Sequence, residues 1–118
     1  MAGMNAEVPV ERRLKTLKLS RRGKKISITA RVKQLGELVE KKEKKRMITY
    51  LMDCLHTVFS ELEQVCVDIS NLTPEDAEDE YNDIEDVRIK VETCTAMVAA
   101  HLDSRADEEV SVSSLTSS

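Results

Sequence analysis

Between Ile48 and Leu72 the apolar side chains fall at Ile48, Leu51, Leu55, Val58, Leu62, Val65, Ile69 and Leu72, at intervals alternating between three and four. A repeat of that kind, held for more than three heptads, commits the stretch to a helix with a narrow apolar seam. The seam needs a cover, and the composition favours another helix as that cover. Charged residues make up 34% of the 118-residue chain, above the usual share of about 25%. Aromatics are 3%, and three glycines and two prolines leave little material for turns. Such a balance suits long helices and does not suit the core of a compact enzyme.

The cover follows directly. Asn71–Pro74 ends the seam, and a dense run of acids extends from Glu75 to Asp86. Thr73 reads as an N-cap and Pro74 as a first helical residue, where its missing N–H costs nothing. The acids then lie at the positive end of a new helix dipole. Ala77, Ile84, Val91 and Val98 recur every seven residues, with Val87 and Cys94 between them, and Tyr81 and Leu102 widen the stripe.

Upstream, Ile28, Val32, Leu35 and Val39 form a shorter stripe, followed by EKKEKKR at 40–46 with no apolar side chain. Nine residues separate Val39 from Ile48, so the two stripes are out of phase. A seam shift, a local unwinding or a hinge would account for that. Nothing in 40–46 breaks a helix, however, and the expectation is one continuous helix capped by Ser27 or Thr29.

The fold class expected is therefore all-α: an antiparallel, coiled-coil-like helical hairpin with a longer first helix and disordered termini. Residues 1–25 are expected as a flexible basic arm. Residues 26–103 form the hairpin, with helices over about 27–72 and 74–103. Residues 104–118 form a disordered, Ser-rich acidic tail. Folding about residue 73 covers 43–71 and leaves Ile28, Val32, Leu35 and Val39 bare as an interaction seam for a second copy or another helical domain.

Charge is divided as unevenly as hydrophobicity. Residues 1–46 carry 15 of the 18 basic residues against 5 acids, a balance of +10; residues 47–118 carry 3 bases against 17 acids, a balance of −14. Within 11–25, Arg12, Arg13, Lys15, Lys18, Arg21, Arg22, Lys24 and Lys25 are candidate phosphate contacts for nucleic acid or anionic lipid. No aromatic side chain lies among them to stack on bases, so nucleic-acid contact there would be non-specific. A solvated arm with no ligand is the competing reading.

Catalytic, metal and cofactor roles find no support. His56 and His101 fall on different helices and do not meet under this pairing; Cys54 and His56 point to different faces. No glycine-rich phosphate loop occurs. Cys54 and Cys66 are twelve residues apart on one helix, too far to bridge. The hairpin brings Cys94 near residue 52, close to Cys54, and two reduced thiols in a mixed core are the expectation. No leader-like segment, myristoylation glycine or apolar run of spanning length is present, so a soluble protein inside the cell, cytoplasmic by default, is expected.

RRGKKISITARVKQL (21–35), ELEQVCVDI (61–69) and EDAEDEYNDIEDV (75–87) together resemble the N-terminal region of Gag-like polyproteins of BEL/Pao-type LTR retrotransposons. The resemblance covers about residues 11–103 and implies a helical assembly module rather than an enzyme. The capsid-like domain, zinc knuckles and enzymes of that family have no counterpart in these residues. The functional expectation is a non-enzymatic module that self-associates through apolar seams. A basic tether for nucleic acid or anionic membrane, and a coiled-coil subunit of a cellular complex, are the alternatives.

Overall fold

The computed structural model describes residues 9–117, with side chains through Arg105. It is all-α: α1 (Val10–Glu40), α2 (Lys45–Leu72), a short 3-10 turn (Pro74–Asp76) and α3 (Ala77–Ser117). No strand occurs among the described residues. Each helix packs on the other two, with α2 antiparallel to both α1 and α3.

The heptad seam forms the middle of the core. Ile48, Leu55, Leu62 and Ile69 are fully buried. A second set, Met52, Phe59 and Cys66, also joins the core from α2. A helix with one neighbour needs one stripe; α2 has two neighbours and therefore a wider apolar arc. From α3 the core receives Ile84, Val87, Val91, Cys94 and Val98. The hairpin of α2 and α3 is as expected, with a different register. Arg88 meets Glu63 and His56 meets Thr95, which places the fold axis at Glu75–Asp76 rather than at residue 73. Cys94 consequently lies level with Thr57, and all three cysteines are free thiols.

The long first helix does not run through. Lys41 ends α1 in right-handed geometry and Lys42 has φ of 54°. The N–H of Lys42 donates to the Val39 carbonyl at 3.1 Å, and that of Glu43 to the Leu38 carbonyl at 3.0 Å. These two bonds constitute a Schellman motif, with lysine where glycine is usual. The chain reverses, and α1 returns along α2 and α3. The Arg105 guanidinium donates to the Glu43 carbonyl, tying α3 to this turn.

Four expectations are corrected accordingly. Residues 10–25 form the first half of α1 instead of a flexible arm, and Gly23 is accommodated within the helix. Ser27 and Thr29 are helix-interior residues; the Thr29 hydroxyl donates to the Lys25 carbonyl at 3.1 Å. Thr73 closes α2 by donating its hydroxyl to the Ile69 carbonyl at 2.8 Å and makes no side-chain cap for the next element. Residues 104–117 continue α3, where a disordered tail is the expectation, and the expectation for residues 1–8 lies outside the described residues.

Candidate functional site

The stripe expected to face a partner is covered within the chain. Ile28 and Leu35 are fully buried and Val32 and Val39 pack against the same core. The turn at Lys41–Lys44 is the cause: it brings α1 onto the hairpin, so this seam holds the bundle together and offers no free face.

The basic residues divide by the side of α1 they occupy. Arg21, Lys24 and Lys25 face inward, toward the acids of the hairpin. Arg21 pairs with Glu80, Lys25 with Asp83 at 2.7 Å, and Lys24 approaches Glu61 at 3.8 Å. Part of the charge imbalance between the two parts of the chain is therefore used to hold α1 on the hairpin. Arg12, Arg13, Lys15, Lys18 and Arg22 remain exposed.

Arg21 and Glu80 form a buried polar contact between α1 and α3, and Cys66 adds α2 to it. Glu80 is 5% exposed, and its second carboxylate oxygen is buried without a hydrogen-bond partner among the protein atoms. Burial, and then the negative charge of Glu80 accepting its S–H, push the Cys66 thiol up to about 12; Arg21 opposes this weakly. A raised thiol pKa contributes stability below the unfolded value of about 9, and that stability is lost as pH climbs toward 12. Cys66 is thus a protonated structural thiol, and burial also raises Cys94. Beside this contact lies a groove of about 330 Å³ between α2 and α3, lined by Cys66, Val67, Ser70, Glu80, Tyr81 and Arg88 among others. Arg88 binds Glu63 at 2.6 Å and Glu85 at 3.1 Å and lies over the Phe59 ring.

The histidines do not converge. His56 Nε2 bonds to the Thr95 hydroxyl at 3.0 Å, and His101 Nε2 is buried without a partner. No group of metal-ligating side chains occurs among the described residues, and no helix among them is long and apolar enough to cross a membrane.

Two outer faces stand out. On α1, Leu19 and Ile26 are each 61% exposed, flanked by Lys15 and Arg22. On α3, Ile89 is 60% exposed, with Glu85 half-buried on one side and Glu92 exposed on the other. Sequence reasoning missed both faces. The signal was present as a second period-seven pattern on each helix, but the core stripe masked it.

Comparison of the chain with protein-family models, with curated proteins and with solved structures finds no match. The class that the fold defines is an all-α three-helix bundle.

Proposed function

We propose that this chain is a non-enzymatic, Gag-like helical assembly module that works by presenting surfaces to other macromolecules, in the first place to further copies of itself. The observation that supports this reading is the pair of outer faces on α1 and α3, which carry large exposed apolar side chains among charges of opposite sign. Leu19 and Ile26 on α1 and Ile89 on α3 lie outside an already closed core, and covering them with another copy would remove that apolar surface from water. Neither a cofactor nor a small-molecule substrate forms part of this reading. Light scattering or sedimentation over a range of concentrations tests it: a dimer or larger species is expected, and a strict monomer at high concentration contradicts it.

A second reading is favoured by the five exposed bases in the first half of α1. Arg12, Arg13, Lys15, Lys18 and Arg22 on a rigid helix could neutralise several phosphates of nucleic acid or of an anionic membrane without sequence preference. Filter binding at low and high salt tests it. Strong retention only at low salt supports it, and negligible retention at both removes it.

A further inference from the structure

We propose that copies of this chain join head to tail, with the outer face of α1 on one copy docked against the outer face of α3 on the next. This rests on the self-association reading and names its two surfaces.

On α1 the residues diametrically opposite the buried line are Arg12, Lys15, Leu19, Arg22, Ile26 and Lys33, spaced three, four, three, four and seven apart. All six are exposed. On α3 the corresponding line is Glu78, Asn82, Glu85, Ile89, Glu92 and Ala96, spaced four, three, four, three and four apart. All but the half-buried Glu85 are exposed. Each line follows the heptad interval that lets two helices lie alongside one another. The lengths agree: 21 residues span ~32 Å and 18 span ~27 Å at the helical rise. The α1 line places Leu19 and Ile26 amid its charges and the α3 line places Ile89, so docking would remove these three from water while bases meet acids.

The choice of a second copy over another occupant comes from the charges. From Arg12 to Lys33 the α1 line carries only bases among its charged members, before the exposed acids Glu37 and Glu40 at the end of the helix, and the α3 line carries only acids. The complement to each is therefore supplied by the same chain. Like faces repel, which disfavours an α1-to-α1 or α3-to-α3 dimer. In a three-helix bundle the outward lines of two helices diverge, so one neighbour cannot cover both. A contact between two different surfaces leaves an unused one at each end and growth passes the dimer, into a ring or an open chain.

Two variants of the full chain test the arrangement: Lys15→Glu/Arg22→Glu on α1, and Glu78→Lys/Glu92→Lys on α3. All four positions are exposed, and circular dichroism confirms that each variant folds. In sedimentation velocity at low salt, the unaltered chain should pass the dimer as concentration rises. Raising salt to several hundred millimolar should weaken association by about tenfold or more. Each variant alone should be monomeric, and an equimolar mixture of the two should associate again. A strict monomer for the unaltered chain overturns both this proposal and the self-association reading. Association that stops at the dimer, variants that associate like the unaltered chain, or a mixture that stays monomeric overturn the head-to-tail arrangement and leave self-association standing. Association that appears only on adding an oligonucleotide or anionic vesicles overturns it in favour of a polyanion partner.

Discussion

The two turns of this bundle perform the same reversal by different means. At Thr73–Asp76 the chain uses a proline at the start of a 3-10 turn, a threonine whose hydroxyl folds back on Ile69, and acids at the helix entry. At Lys41–Lys44 it uses a lysine held at positive φ and two reversed backbone bonds. The first is written in residue types with fixed conformational preferences. The second is written almost entirely in backbone geometry, adopted by a residue that tolerates it at a cost. The comparison teaches that a turn lacking its signature residue is held by what it brings together, here the packing of α1 on the hairpin.

The largest effect that sharpens this contrast lies in the core beyond the second of these turns. Leu35→Ala should cost about 2–5 kcal/mol in urea unfolding, because Leu35 is fully buried. An effect near zero would mean that α1 does not return to the hairpin. Next comes the buried contact of α1 with α3. Arg21→Met should cost about 1–3 kcal/mol by leaving the Glu80 carboxylate without its cation, read as a lower urea midpoint at unchanged slope.

Lys42→Gly should raise stability by about 1 kcal/mol, since glycine holds positive φ without the Cβ penalty. In an unbroken helix the same change would lower stability by about 1 kcal/mol, so the sign of the shift in melting temperature distinguishes the two. The smallest effect is at Gly23, which is exposed and where an added Cβ meets nothing within 4 Å. Gly23→Ala should gain about 0.5–1 kcal/mol if this segment is helical, and nearly nothing if it were an arm.

The legibility of the fold followed the same division. The hairpin was readable because an alternating three-and-four seam and a proline with acids beside it each have one dominant physical interpretation. The return of α1 left fainter traces. The nine-residue gap from Val39 to Ile48 was a turn rather than a drift within one rod. Met52, Phe59 and Cys66 widen the apolar arc of α2, as a middle helix requires, but the regular three-and-four seam beside them needs only one cover. Of its apolar side chains, the first half of α1 turns only Leu14 and Leu17 partly inward among eight bases, and its charge is the stronger local signal. What holds that half in place is pairing at long range, of Arg21 with Glu80 and Lys25 with Asp83, and no local pattern reports such pairs. The outer faces went unseen for a related reason: an exposed Leu19 or Ile89 has meaning only once the opposite side of its helix is known to be buried.

The return of α1 is the central claim, and a single distance tests it. Thr16 and Asn71 are both exposed and line the same groove between α1 and α2. Nitroxide side chains introduced at these two positions as non-natural amino acids, with the cysteines left in place, give that distance by pulsed electron paramagnetic resonance. Packed helices whose axes lie about 8–10 Å apart predict a separation of about 20 Å or a little more once the label arms are included. A single rod over the same residues would hold the labels ~83 Å apart, and a distribution centred beyond about 60 Å would contradict the three-helix bundle.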